Sequence, residues 1–416
     1  MVVGLWLFSI AGPIAEMLTI DRTTYREGSQ AARPAIVVAT YEITTVIALA
    51  AALAIVVFKA LSSKQRLLPL LIIVAPSLWI VSNEFANDRP ISFGLLTPAL
   101  LGTAIWALGI RFEDLAVLGY LGTLVAAVSV LGAIYAPQMV FMSAGLAGVD
   151  KSLTGSPLLA GVFSHSNILG MYLALSIPFV FIIRRWYIRW PALAVVSWAL
   201  VLTSSRTALF GAGFALGAIL LRKMLPRTLW KWIVFPTGAV ASALIVIVPV
   251  TEADPKAYTD RGAIWIYNLK AVAGHWILGN GANWYDVNYP TLQVDLSSAA
   301  SHGHNLFITN LIMGGLVLVV LLAFLIFVSW LSASHMSDDR NRVTAIAFLL
   351  CLCVISISET PFHMVSWGPL SAVTLVPIFV LAVDHASRGE PAAAIHSNLS
   401  SAAEPMSFGN RARKKP

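Results

Sequence analysis

The chain has 416 residues, of which 58% are hydrophobic and 11% are charged, and its mean hydropathy is +0.80. A soluble protein cannot bury so much apolar surface, so the composition excludes an ordinary soluble domain. Many apolar runs approach the roughly 20 residues that a helix needs to cross a bilayer. The net charge of +7 does not indicate a nucleic-acid partner, because the basic residues lie between hydrophobic segments. We therefore expect an all-α, polytopic membrane protein.

The apolar segments predict about twelve transmembrane helices. The predicted spans are 2–19, 35–58, 67–82, 92–110, 115–135, 160–183, 190–204, 206–221, 232–250, 304–330, 343–358 and 367–384. Eighteen of the Lys and Arg residues fall on one side of these spans and nine on the other. The positive-inside rule therefore predicts that both termini are cytoplasmic. Residues 1–384 form the membrane domain, and 385–416, rich in Ala, Ser, Pro and basic residues, are predicted to be a disordered cytoplasmic tail.

The same topology places one long polar connection, 251–303, outside the membrane. Within it, Thr259-Asp260 can cap a helix that begins at Arg261. An apolar stripe then recurs at helical spacing and is formed by Trp265, Leu269, Val272 and Trp276. A stripe with Trp at both ends is typical of the membrane interface. We therefore expect this large extracytoplasmic loop to carry an interfacial amphipathic helix.

His304 opens the tenth predicted span at its outer end. A neutral imidazole, with an ordinary pKa of about 6.5, can accept a proton from a hydroxyl group. The alternative is an interfacial His that caps or packs the start of the helix. His302 is a second candidate for the base, and Asn305 is placed to orient either ring.

Arg206 and Arg261 lie on the side with fewer positive charges, so topology does not explain them. Guanidinium groups bind phosphate oxygens in bidentate fashion and keep their charge, so two of them can hold a diphosphate. The alternative is that each snorkels to lipid headgroups. His165 and Asn167 begin the sixth predicted span, where they either line the same cavity or cap the helix.

Three glutamates near outer helix ends are possible partners for an arginine, and the sequence does not rank them. They are Glu16, Glu42 and Glu359. The predicted outer connections contain no Asp-x-Asp pair, and the chain has no HExxH motif and no convincing P-loop. Gly279-x-Gly281 alone is weak evidence for phosphate binding. We therefore expect neither a metal nor a cofactor.

Taken together, these residues resemble the O-antigen ligase and O-antigen polymerase superfamily of bacterial membrane proteins. The resemblance extends over nearly the whole chain from Trp79-x-x-Ser82 onward and depends on the order and placement of short motifs. The motifs are Gly161-x-Phe163-x-x-x-Asn167, Ser205-Arg206, Arg261-x-x-x-Trp265 with Gly279-x-Gly281, and His304-Asn305 followed by Gly314-Gly315. The family's fold is a bundle of about twelve helices with a large periplasmic loop.

The resemblance implies metal-independent glycosyl transfer from an undecaprenyl-pyrophosphate-linked donor to a glycan or glycolipid acceptor. It makes His304 the residue that activates the acceptor hydroxyl, and it makes Arg206 and Arg261 the residues that hold the pyrophosphate. Ligases and polymerases share these features, so the motifs do not choose between them.

The predicted outward orientation favours the same donor, at the outer face of the cytoplasmic membrane. Nucleotide sugars are cytosolic, so an outward-facing transferase needs a donor that has crossed the membrane with its activated bond intact. The alternatives are a transporter or flippase for a lipid-linked glycan and a non-catalytic scaffold. A flippase needs polar residues along a path through the membrane. Here the predicted spans are poor in charges and the polar groups gather at outer ends, which favours the enzyme.

Overall fold

The computed structural model describes residues 1–20, 22, 34–60, 66–142, 152–296 and 300–387. Within these ranges the secondary structure is helical, apart from one isolated β-bridge between Phe141 and Leu159. The α-helices are α1 Val2–Thr19, α2 Ala35–Ile55, α3 Leu67–Ala86, α4 Thr97–Leu108, α5 Ala116–Tyr135, α6 Pro137–Val140, α7 Ser166–Val180, α8 Trp186–Thr203, α9 Arg206–Met224, α10 Arg227–Thr251, α11 Ala257–Ala271, α12 Trp284–Leu296, α13 Leu306–His335, α14 Asp339–Ser356 and α15 Ser371–Ser387. The all-α prediction is confirmed.

Eight helical segments among the described residues are long and apolar enough to cross a membrane. They are Val2–Thr19, Ala35–Lys59, Leu67–Ala86, Phe112–Tyr135, Trp186–Thr203, Arg206–Met224, Arg227–Thr251 and Leu306–His335. Three shorter apolar helices are Phe93–Leu108, Ser166–Val180 and Ser371–Asp384. The chain is therefore a multi-pass membrane protein, whereas the count of twelve spans and the cytoplasmic termini remain predictions. Residues 388–416 of the predicted tail lie outside the described residues.

Helices α7, α14 and α15 form the centre of the bundle, and their side chains are buried on nearly every face. Phe179 of α7 packs against Phe348 of α14, with ring centroids 5.4 Å apart. A helix that is apolar all round is stable only when other helices or lipid surround it. The outer helix α2, by contrast, keeps Ile43 and Val46 exposed, as expected of a lipid-facing surface.

Helix α13 is broken at Gly315, where φ is +67° and ψ is −170°. The long loop fills the break, because the Leu316 N–H donates a 2.8 Å hydrogen bond to the carbonyl of Trp276. A Cβ atom on residue 315 would lie only 2.0 Å from the carbonyl oxygen of Ile277. Both the positive φ and this close approach require glycine. The Gly314-Gly315 motif therefore serves to dock the loop on α13.

Helix α3 also binds both the long loop and α13 where they meet. The Trp79 Nε1–H donates to the carbonyl of Gly314 at 2.8 Å, and the Asn83 amide donates to the carbonyl of Leu278 at 2.8 Å. Gly279 has a φ of +73°, and a Cβ there would lie 2.5 Å from the backbone nitrogen of Gly315. Gly279 is thus explained by close backbone packing, and phosphate binding is not needed to account for it.

The predicted helix inside the loop exists, but it is shorter than expected. Its regular part begins at Arg261, since Tyr258, Thr259 and Asp260 all have positive φ, and α11 ends at Ala271. Trp276 therefore lies outside the helix. Trp265 is fully buried, and its Nε1–H donates to the carbonyl of Gly303 at 3.0 Å. The prediction of an interfacial Trp at both ends of the stripe is wrong, because Trp265 finds its polar partner inside the protein.

Candidate active site

The carboxylate of Glu359 is the point at which four parts of the chain meet. Glu359 follows the end of α14 and is 2% exposed. One carboxylate oxygen accepts a hydrogen bond from Arg261 of α11 and a 3.0 Å hydrogen bond from the Asn167 amide at the start of α7. The other oxygen lies 3.4 Å from Nδ1 of His304, just before α13. Three predicted site residues thus converge on a fourth that the sequence could not select.

Glu359 remains ionised in this setting. Burial by itself raises the pKa of a carboxyl group, but Arg261, His304 and His302 outweigh it and lower the pKa of Glu359 to about 2. Arg261 and Glu359 therefore form a largely buried ion pair, with side chains that are 15% and 3% exposed. A buried pair of this kind constrains both partners, because separating them leaves an uncompensated charge.

The Arg261-x-x-x-Trp265 motif places two contacts on one face of α11. Residues four apart are neighbours on a helix surface. Arg261 reaches Glu359, and one turn later Trp265 donates to the carbonyl of Gly303. The motif therefore ties α11 to the segment that carries both candidate histidines, and it links their position to that of the arginine.

His302 and His304 lie against each other, with ring centroids 4.1 Å apart. His304 has a φ of +45°, a strained value for a residue with a side chain, and such strain often marks functional sites. Its side chain is 22% exposed, so part of the ring is accessible. Desolvation, together with the neighbouring His304, keeps the pKa of His302 well below its ordinary value. His302 is therefore neutral at physiological pH.

Asn305 and the Nδ1 atom of His165 stabilise the starts of α13 and α7. The Asn305 side-chain oxygen accepts from the Ile308 N–H at 2.9 Å, and its amide donates to the carbonyls of Ile245 and Ile357. None of these hydrogen bonds goes to a histidine ring. His165 caps α7, since its Nδ1 accepts from the Asn167 N–H at 3.0 Å. This is the capping alternative considered from the sequence.

The residue after Arg206 contacts the segment that carries Glu359, but the side chain of Arg206 does not contact the cluster. The hydroxyl of Thr207 is 2.9 Å from that of Ser358, the residue before Glu359. Arg206 is exposed and forms no hydrogen bond or ion pair with any described residue. The start of α9, which contacts the residue before Glu359, therefore carries a guanidinium group that has no partner among the described residues.

The chain also matches a known family model over about a third of its length. Residues 191–323 match the O-antigen ligase family. The predicted resemblance to the O-antigen ligase and polymerase superfamily is thereby confirmed. No curated protein matches the chain.

The segment that matches the family model contains Arg206, Arg261 and His304 but not Glu359. Another polar group, His363, lies near His302 and is also beyond that segment. Its pKa is lowered to about 4 by burial, and its Nδ1 has no hydrogen-bond partner among the residues that the structure describes. The sequence did not indicate His363, because nothing in its local pattern distinguishes it from an ordinary residue in the connection between α14 and α15.

One group of described side chains has the spacing of metal ligands. His302, His304 and Glu359 present donor atoms that lie within 4.8 Å of one another. Arg261, however, hydrogen-bonds the same carboxylate, and its charge would repel a divalent cation. The ion pair with Arg261 disfavours a metal ion at this carboxylate, and metal-independent chemistry remains our expectation.

Proposed function

We propose that this protein transfers a saccharide from a polyprenyl-pyrophosphate-linked donor to a glycan acceptor at the outer face of the cytoplasmic membrane. The observation that carries the proposal is the convergence of His304, Arg261 and Asn167 on the buried carboxylate of Glu359. The O-antigen ligase match supports glycosyl transfer of the ligase or polymerase type.

In this proposal His304 is the base that activates the acceptor. Its Nδ1 faces Glu359, which leaves Nε2 to accept the proton of an acceptor hydroxyl group. A carboxylate that accepts a hydrogen bond from Nδ1–H orients the ring and stabilises the imidazolium that forms, as in catalytic triads. Glu359 is therefore proposed as a positioning residue. Its low pKa supports this role, because an ionised carboxylate accepts from Nδ1–H throughout the physiological range.

Arg261 and Arg206 are proposed to hold the pyrophosphate. A guanidinium group carries five N–H donors, so Arg261 retains donors for a phosphate while it contacts Glu359. Arg206 has all of its donors free with respect to the described residues. Two fixed cations stabilise the negative charge that develops as the lipid pyrophosphate departs.

The proposed reaction is a single displacement at the anomeric carbon. The acceptor oxygen forms the new glycosidic bond, and the bond from the anomeric carbon to the pyrophosphate oxygen breaks. The proton of the acceptor hydroxyl passes to Nε2 of His304, and the pair of electrons leaves with the polyprenyl pyrophosphate. His302, which is neutral and in contact with His304, is the second candidate for the base.

A flippase for the same lipid-linked glycan is less well supported. The charged and imidazole groups described above cluster at one end of the bundle, and the central helices α7 and α15 are packed with apolar side chains. A polar path across the membrane would need such groups along its length. We therefore favour a glycosyltransferase over a flippase, and the experiment below distinguishes a ligase from a polymerase.

The test measures lipid-linked glycan in cells that lack this gene and carry wild type, His304→Ala or His335→Ala. His335 is the matched control, since it is also a histidine of the α13 region but lies at the opposite end of that helix. We expect the deletion and His304→Ala to accumulate donor on the outer leaflet, and His335→Ala to behave as wild type. Long lipid-linked chains would then identify a ligase, and single repeats a polymerase.

Two outcomes contradict the proposal. Full complementation by His304→Ala would remove this histidine from the mechanism. Donor trapped on the inner leaflet in the deletion strain would instead assign the protein to transport across the membrane.

A further inference from the structure

An apolar groove separates α10 from α13. It extends from Phe235 to Ile245, whose carbonyl accepts a hydrogen bond from Asn305, the residue after His304. Its volume is about 620 Å³, within the range of ordinary ligand pockets. Phe235, Ile245, Leu322 and Phe327 are among the side chains that line it. Phe327 is 56% exposed, so the groove is open at the side rather than closed within the bundle.

The wall that α10 contributes continues directly into two basic residues. Phe235, Lys231 and Arg227 are spaced four residues apart, so they lie on one face of the helix. Neither Lys231 nor Arg227 forms an ion pair with a described residue. Trp232, which is 73% exposed beside them, is typical of the boundary between membrane and water.

No described acidic group neutralises this pair of cations. Arg227 and Arg342 lie close enough to Lys231 to repel its positive charge. The nearby carboxylate of Asp339 is already engaged, because it pairs with Arg222 and with Arg342. The mouth of the groove therefore carries an excess of positive charge, and a bound anion would relieve the repulsion.

The wall of the groove that α10 forms is about as long as one leaflet of a bilayer is thick. The part of α10 that lines the groove, from Phe235 to Val246, rises by about 17 Å at 1.5 Å per residue. Half of a hydrocarbon core is about 15 Å thick. A chain that begins at the cations and runs along the groove therefore ends near the middle of the membrane.

We propose that the groove holds an acyl chain of an anionic phospholipid whose phosphate binds Arg227 and Lys231. Charge complementarity selects this occupant: the cations lie at one mouth, and the lining beyond them is mostly apolar. The phosphate-binding residues lie at the opposite end of α10 from Ile245, which borders the proposed active site, and occupancy of the groove does not depend on the proposed reaction.

The test uses the purified full-length protein, stripped of lipid in detergent and titrated with phosphatidylglycerol or phosphatidylcholine by native mass spectrometry. We expect phosphatidylglycerol to bind more tightly than phosphatidylcholine. Arg227→Ala combined with Lys231→Ala should weaken phosphatidylglycerol binding about 30-fold and leave phosphatidylcholine unchanged. Ala323→Phe, which fills the groove, should weaken both lipids because it excludes the acyl chain.

The matched control removes two other basic residues, Arg189→Ala combined with Lys223→Ala, which both lie over the ring of Trp190. This control should bind phosphatidylglycerol as wild type does. Equal loss in the control and in the Arg227 and Lys231 variant would mean a diffuse charge effect and overturn the proposal. Displacement of bound lipid by a polyprenyl phosphate but not by phosphatidylglycerol would assign the groove to an isoprenoid chain and would also overturn it.

Discussion

Nδ1 of His304 lies 3.4 Å from a carboxylate oxygen of Glu359, whose other oxygen accepts a hydrogen bond from Arg261. One buried carboxylate therefore positions both the proposed base and the proposed pyrophosphate-binding group. Because the two groups share this partner, a change at Glu359 is expected to alter catalysis and stability together.

Glu359→Gln tests this coupling. The amide keeps the shape of the side chain but removes its charge, so the imidazolium loses its stabilising partner and Arg261 loses its counter-ion. We expect transferase activity to fall about 100-fold and the free energy of unfolding to fall by about 3 kcal/mol. Activity with a lipid-linked donor and thermal unfolding in detergent measure the two effects. Glu359→Asp, which retains the charge, should recover stability more than activity; wild-type activity in Glu359→Gln would refute the positioning role.

Arg261→Lys tests whether the arginine acts through its planar fork of donors. Lysine keeps the positive charge but cannot contact Glu359 and a phosphate in the same bidentate geometry. We expect the variant to fold, because the charge pair survives, and to show a KM for the lipid-linked donor raised about tenfold or more. The donor KM is compared in Arg206→Lys, which has no ion pair to preserve. An unchanged donor KM in both variants would show that neither arginine binds the pyrophosphate.

The acid sensitivity of the fold should depend on His363. Burial lowers its pKa to about 4 from an ordinary 6.5, so the unfolded chain binds the proton more tightly than the folded one. The stability that comes from neutral His363 is therefore complete above about pH 6.5 and is lost as the pH falls towards 4. Between pH 7.5 and pH 5 we expect the wild type to lose roughly 1 to 2 kcal/mol more than His363→Gln does. Equal losses, measured by chemical denaturation at each pH, would contradict this assignment.

The stability that ionised Glu359 contributes should depend on pH in a different range. Its pKa is lowered to about 2 from 4.5, so its contribution to stability is present above about pH 4.5 and declines only below it. A loss of activity between pH 7 and pH 5 therefore reflects protonation of a histidine and not of Glu359. If activity instead stayed constant down to pH 5 and fell only below about pH 4.5, this separation would fail.

Gly315→Ala tests the docking of the loop on α13. The new Cβ would lie 2.0 Å from the carbonyl of Ile277 at a positive φ, so the loop or the helix must move. We expect a loss of more than about 2 kcal/mol in the free energy of unfolding, together with lower activity. The matched control is Gly217→Ala in α9, where a Cβ meets nothing within 4 Å and helix propensity improves. Equal stability in the two variants would show that the break at Gly315 is not required.

Much of this protein follows from its sequence, because membrane helices are a local property. Long apolar runs and their flanking polar residues placed helix bounds within a few residues, as the prediction of 2–19 against Val2–Thr19 shows. The sequence also indicated His304 and Arg261 as site residues, since imidazole and guanidinium groups at membrane helix ends are costly without a purpose. The chemistry of each side chain was thus available from its identity and its position along a span.

Tertiary structure decided which of these groups meet. Glu359 is 98 residues from Arg261 in the chain and 192 from Asn167, and no local pattern ranks it above Glu16 or Glu42. The sequence also did not determine whether Trp265 faces the protein or the lipid, because an apolar stripe on a helix suits a protein core as well as a lipid surface. Pairing of this kind depends on how α7, α11, α13 and α14 pack against one another, which is a property of the assembled bundle and not of any one segment.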